Sequence, residues 1–225
     1  MSTTPGGAGP ARGKRGQRPA PADENTPELR ETILAATAAL LDTRRFSDLR
    51  VGEILTAAVV SRGSFYFYFA SKHDVLAELV TRAVAQGHQA AEPWLANPPD
   101  KANALRAGIT AGARLWQAQA PILRAIVENW RTEPRLTDLW LDQMQTFTDA
   151  TVAQITADPD ATQTLAGRDI AAVASSLTWL GQQLYYLAAT GTPPFVDEDV
   201  LIDTLLHIWT STLYGQPAER LGHDQ

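Results

Sequence analysis

The sequence predicts an all-α protein of about nine helices, and three observations carry that expectation. Apolar residues recur at helical spacing along most of the chain, prolines and glycines punctuate them at regular intervals, and only one short run has strand character. With 225 residues the chain can bury a full core, and 44% hydrophobic with 20% charged content is ordinary for a globular protein. There is no cysteine, which excludes disulfides, thiolate metal sites and cysteine nucleophiles. The first 25 residues lack the apolar core of a signal peptide. The longest stretch without a formal charge, Ile170 to Val196, is interrupted by Ser175, Ser176, Thr178, Gln182, Gln183 and Pro193-Pro194. It reads as a buried or interface helix, not a membrane span, so a cytoplasmic protein without a membrane partner is expected.

Residues 1–25 are rich in Gly, Pro and Ala and carry Arg12, Lys14, Arg15 and Arg18, the composition of a disordered basic arm. Thr26-Pro27-Glu28 is a helix start, with Leu29, Ile33, Ala36 and Leu40 forming the apolar stripe. A polar connection with Phe46 as an inward plug leads to a second helix over about 50–58. The run Phe65-Tyr66-Phe67-Tyr68-Phe69 favours a strand by propensity, but Ser61 is a good N-cap and no similar strand lies near to pair with it. A short helix is therefore expected. Ser71-Lys72-His73-Asp74 opens a fourth helix, and later helices are expected near 101–119, 121–131, 135–157, 168–190 and 197–214, with breaks at the prolines and at 158–167.

Charge and aromatic usage both divide the chain. Residues 1–72 hold ten Lys/Arg against seven Asp/Glu, whereas 73–225 hold nine against eighteen, and all six tryptophans lie in the second part. The expected organisation is the arm at 1–25, a DNA-binding unit at 26–72 with its motif at 50–69, and a second unit at 73–225 with a different task. In the motif, two short helices and a tight turn have the layout of a helix-turn-helix. Phe65 and Phe69 share a buried face, which leaves Arg62, Ser64, Tyr66 and Tyr68 outward with Ser61 at the cap. A guanidinium and hydroxyls are the groups that read base edges and hold phosphates. Lys72, at the first turn of the next helix, is either a solvated cation or a phosphate anchor.

The run from Ser61 to Phe69, followed by Ser71-Lys72 and Val75-Leu76, resembles the recognition helix and fourth-helix start of the TetR family of bacterial transcriptional regulators. The resemblance covers roughly residues 28–80. The segment Leu205-Leu206-His207-Ile208-Trp209 through Leu213-Tyr214-Gly215 is similar to the ethionamide-resistance repressor subgroup. Membership implies a homodimer that binds operator DNA, with Arg62, Ser64, Tyr66 and Tyr68 facing the duplex and Lys72 holding a phosphate, and it makes 73–225 the ligand-binding and dimerisation unit. Three positions depart from the family pattern: Val59 where the turn commonly has glycine, Arg50 where a Ser or Thr cap is usual, and Leu55 in place of alanine. A turn that requires positive φ at residue 59 would strain a β-branched valine.

The second part contains no catalytic constellation, no metal-ligand spacing and no cofactor fingerprint. Neither enzyme activity nor a cofactor is expected. Trp116, Trp140, Phe147, Trp179, Tyr185, Tyr186 and Trp209 come from four separate helices and either form plain core or converge on a pocket; the resemblance favours a pocket. Thr178 and Gln182 are candidate polar anchors, and the expected ligand is small and lipophilic. The small residues Ala171, Ala174, Ser175 and Thr178 share a helix face suited to a second copy of the chain, with Leu205 and Leu213 of the last helix beside it. A helical carrier or enzyme using the aromatic cavity, and a DNA-binding dimer without a ligand, remain alternatives.

Overall fold

Local capping chemistry sets where most of the helices begin. The computed structural model describes residues 26–95 and 98–215, and within these the side chains of 26 and 86–95 are not described; the basic arm lies outside the described residues. The described residues form ten helices: α1 Thr26–Leu41, α2 Val51–Ala58, α3 Arg62–Tyr68, α4 Lys72–Leu95, α5 Lys101–Ala118, α6 Ala120–Asn129, α7 Pro134–Ala157, α8 Pro159–Thr164, α9 Ile170–Ala189 and α10 Glu198–Tyr214. The side chains of Ser61, Asp100, Glu133, Asp169 and Asp197 each accept a first-turn backbone N–H, which satisfies donors that a helix end otherwise leaves open. Gly215 ends α10 at φ 65°, in the left-handed region where glycine is free of strain.

The tenth helix corrects the expected count. Residues 158–167 read as a break because they are polar, yet Asp158 caps a short α8 by accepting from the Asp160 N–H at 3.0 Å, with Pro159 in its first turn. Asp158 is only 1% exposed and is held by Lys101 at 2.7 Å and by the Tyr214 hydroxyl at 3.1 Å. Burial alone would raise its pKa, but the Lys101 ammonium, the Tyr214 hydroxyl and the Asp160 N–H together outweigh burial and the net shift is downward.

The aromatic run is helical, as expected. Phe65 and Phe69 are buried in one apolar cluster with Ile54 of α2 and Ile33 of α1, while the chain offers no strand among the described residues to pair with them. Burying a Phe side chain contributes roughly 2–3 kcal/mol. That exceeds the fraction of a kilocalorie by which aromatics disfavour helix.

One apolar cluster runs from Ile33, Phe46, Ile54 and Phe65 through Val75, Leu76, Leu79 and Val80 of α4 to Ile126, Leu136 and Trp140. The core is therefore continuous across residue 72, where the two units are expected to meet. A second cluster joins α5, α8, α9 and α10. Polar ties reinforce α4 on both sides. Arg82 grips Glu31 of α1 at 2.6 Å and Glu78 at 2.6 Å, Arg30 pairs with Glu78, and Arg135 of α7 pairs with Asp74.

Candidate functional site

Two features stand out, an exposed face on α3 and a cavity among the later helices. The α2–α3 turn sets the first. Val59 has φ 53° and ψ 43°, the Val59 N–H donates to Thr56 O at 3.3 Å, and the Val60 N–H donates to Leu55 O at 3.1 Å. This is the 6→1 and 5→2 pairing of a helix end that turns through a left-handed residue. The chain makes that turn with a β-branched side chain that is 90% exposed. At the other end of α2, Arg50 has no acceptor to offer as a cap. Glu53 instead reaches back to accept the Arg50 N–H at 2.8 Å and binds Arg44 at 2.8 Å.

On α3, Arg62, Tyr66 and Phe67 form the exposed face, with the Arg62 guanidinium 6.0 Å from the Tyr66 ring centroid. Phe67 is 76% exposed and packs edge-on against Tyr68, which is half-buried. Ser64 is half-buried, and its hydroxyl meets the Ser61 hydroxyl at 2.9 Å while Ser61 caps the Ser64 N–H at 3.0 Å. Ser61 and Ser64 thus hold the helix start. Phe67 is the residue the sequence reading missed, since the spacing assigns only Phe65 and Phe69 to the buried face and gives Phe67 no side of the helix. Its signal was the four-residue spacing from Gly63, which places it beside the Arg62–Tyr66 edge.

The structure corrects the role of Lys72. Its ammonium donates to three backbone carbonyls of the α1–α2 connection, Phe46 at 2.9 Å, Ser47 at 3.1 Å and Leu49 at 2.8 Å, and lies 4.7 Å from the Phe46 ring centroid. All three protons are engaged, so Lys72 is a clip that fastens α4 to the loop before α2 rather than a free phosphate anchor. Burial lowers its pKa, opposed by the nearby Asp48 and Glu53.

The second feature is a cavity of about 190 Å³ lined from α4, α5, α6, α7, α9 and α10. Trp116, Trp140, Phe147, Thr178, Gln182, Tyr185 and Trp209 line it, joined by Met144. Trp179 and Tyr186 do not. Trp179 packs on Trp130 with ring centroids 6.3 Å apart, and the Tyr186 hydroxyl donates to Glu128 at 3.3 Å. Both project from α9 away from the lining, a distinction that depends on how α9 is rotated against α7. Tyr185 stacks on Trp116 at 6.3 Å and donates to Ile109 O at 3.1 Å. A Cβ at residue 112 would lie 2.9 Å from its hydroxyl, so only Gly112 allows this approach. Val84, three turns along α4 from the Lys72 clip, also lines the cavity.

Both parts of the chain match known proteins in sequence. Residues 33–79 match the model for bacterial regulatory proteins of the tetR family, and residues 105–215 match that for the C-terminal domain of the transcriptional regulator EthR. The HTH-type transcriptional regulator EthR of Mycobacterium tuberculosis is 33% identical over 210 residues, covering 91% of this chain and 94% of that protein. The protein of the same name from Mycolicibacterium smegmatis is 30% identical over 208 residues, covering 91% and 92%. The chain belongs to the TetR family. It is an EthR-like transcriptional regulator, not an enzyme. Solved TetR-type structures share its fold: a putative regulator from Syntrophomonas wolfei has a TM-score of 0.66 at 13% identity, covering 83% of this chain and 95% of that one. Salmonella enterica GusR gives 0.64 at 18%, covering 85% and 98%. Among the described residues no helix is long and apolar enough to cross a membrane.

Three of the residues expected at a dimer interface face inward in this TetR-type chain. Ala174, Leu205 and Leu213 are fully buried in the chain's own second core. Small size made Ala174 look like a contact for another copy, but it packs within the same chain. Ala171 is exposed, and Ser175 and Thr178 are half-buried. The open stripe on α9 instead runs through Ala172, Ser176, Leu180, Gln183 and Leu187, beside Thr204, His207, Ile208 and Ser211 on α10.

Proposed function

We propose that this chain is a homodimeric repressor that holds operator DNA through the exposed face of α3 and releases it when a small lipophilic effector fills the cavity. Arg62 reads a base edge, Tyr66 positions the head on the backbone, and Phe67 adds apolar contact in the major groove. Tyr68 and Ser64 support that face from its half-buried side. The open stripe of α9 and α10 pairs two copies, which sets the heads at half-sites about 34–36 Å apart or a multiple of that.

The observation that carries this reading is the span of α4. At one end Lys72 and Asp74 tie it to the head and to α7, and about 18 Å further along Val84 touches the cavity. A change in cavity filling therefore acts on the helix that orients the head. The effector must bind the released arrangement better than the DNA-bound one, since equal affinity shifts nothing.

The test is a gel shift on the segment upstream of the chain's own gene, at several salt concentrations. The expected result is a preference for that duplex over a scrambled one, with affinity falling steeply as salt rises. Equal binding to both duplexes, or none at low salt, refutes the reading.

A further inference from the structure

The reading helix α3 has seven residues, fewer than two turns, and a helix so short does not hold its shape alone. Its pose comes from its anchors. Ser61 caps one end, Phe65 is fully buried at the middle, and Phe69 closes the other end with its N–H donated to Phe65 O at 2.9 Å. Base reading depends on that pose. A tilt of about 10° about Phe65 moves either end by about 1 Å, which weakens a hydrogen bond to a base edge steeply.

The Phe69 anchor carries a charge beside it. The Arg30 guanidinium of α1 lies 5.7 Å from the Phe69 ring centroid, and the same group pairs with Glu78 of α4. Glu78 also accepts from Arg82 at 2.6 Å, and Arg82 grips Glu31 of α1 through two bonds at 2.6 and 2.7 Å. The contacts run Glu31, Arg82, Glu78, Arg30, Phe69, crossing between α1 and α4 before they reach the end of α3. Arg30 is the member that meets α3. Its side chain is 41% exposed whereas that of Glu78 is 17% exposed. An arginine with that much access to solvent has many rotamers open to it, and the half-buried carboxylate is what keeps its guanidinium over the ring.

We infer that Arg30 is a positioning residue for base recognition: clamped by Glu78, it holds the Phe69 end of α3 and so the angle at which Arg62 and Phe67 meet the major groove. The inference rests on the α3 reading above and adds a residue that lies outside the exposed face. A half-exposed arginine on a DNA-binding head has one other obvious use, a direct grip on phosphate, and the two roles leave opposite signatures. A phosphate contact raises affinity for every duplex and steepens the salt dependence. A positioning contact acts on the difference between sequences and leaves the number of neutralised phosphates unchanged. Glu78 sharpens the contrast. Neutralising it beside a phosphate contact frees a cation and strengthens DNA binding, whereas neutralising it in a clamp releases Arg30 and costs discrimination.

The test uses the full chain with Arg30→Gln, Glu78→Gln and the double variant. Binding to the duplex upstream of the chain's own gene and to a scrambled duplex is measured at several salt concentrations, and ¹H–¹⁵N spectra are recorded without DNA. Each single variant is expected to lower operator preference about five- to tenfold, through weaker operator binding alone and with an unaltered salt slope. The double variant should be no worse than either single one, because both substitutions break the same clamp. Glu78→Gln should move the amide resonances of Ser64 to Phe69, although Glu78 reaches α3 through Arg30, and should move them no further once residue 30 is glutamine. Where Arg30→Gln fails to fold, Glu78→Gln alone carries the test. An equal loss on both duplexes with a slope shallower by about one unit in Arg30→Gln overturns the inference. So do stronger binding in Glu78→Gln, losses that add in the double variant, and α3 resonances that stay in place in Glu78→Gln. A native chain without operator preference refutes the α3 reading itself; the resonances, read without DNA, then still decide whether Arg30 clamps the helix.

Discussion

At Val59 the chain accepts strain that its fold requires. A left-handed conformation costs a non-glycine residue roughly 1–2 kcal/mol, and the Val59 side chain recovers little of it because it is 90% exposed. Glycine there relieves the strain but adds about 0.5–1 kcal/mol of unfolded-chain entropy. Val59→Gly should therefore raise stability by about 0.5–1 kcal/mol, seen as a higher denaturant midpoint with an unchanged slope; a lower midpoint contradicts the strain. Two substitutions on α3 separate hydrogen-bonded from apolar reading. Arg62→Ala should cost about 1–3 kcal/mol of discrimination between operator and scrambled duplex. Phe67→Ala should weaken discrimination at thymine-bearing positions of the operator and leave protein stability within about 0.5 kcal/mol, because the ring is exposed. Unchanged operator preference in both variants removes α3 from the reading role.

At the scale of elements, the Lys72 clip decides how α4 meets the head. Lys72→Met keeps the stem and removes three charge-assisted hydrogen bonds to the α1–α2 connection. The expected loss is about 2 kcal/mol of stability, with weaker operator binding but an unaltered salt slope. A free phosphate anchor would behave in the opposite way, lowering the slope by about one unit with stability intact. Helix starts were legible in the sequence through the proline and glycine breaks before them, and the caps Asp100, Asp169 and Asp197 lie next to the turns they satisfy. The helical fate of the aromatic run was legible through the Ser61 cap. Lys72 was not, because its acceptors are carbonyls 23–26 residues away that only the folded loop presents. The outward turn of Phe67 and the separation of Trp179 and Tyr186 from the cavity depend likewise on how each helix is rotated against its neighbours.

Across the whole molecule, inward and outward faces of α9 and α10 make different predictions. Ser176→Glu on the open stripe should give a folded chain that sediments as a monomer, against the dimer expected of the native chain. Ala174→Asp should abolish cooperative unfolding, because it places a charge in a fully buried site. Dimers that persist in Ser176→Glu exclude this stripe as the contact. The convergence of aromatic and polar residues on one cavity was favoured by the family resemblance and not by composition, which suits plain core packing as well, and the inward burial of Leu205 and Leu213 was not anticipated, since a helix buried on one side and paired on another is apolar on both. The joining of cavity and reading head through α4 is the central claim, and linkage measures it most directly. Operator affinity and thermal shift should be recorded together for a panel of neutral apolar compounds. Compounds that raise the melting temperature of the free protein are expected to weaken its hold on the operator, each in proportion to its differential affinity for the two arrangements. Compounds that stabilise the protein yet leave operator affinity unchanged would contradict it.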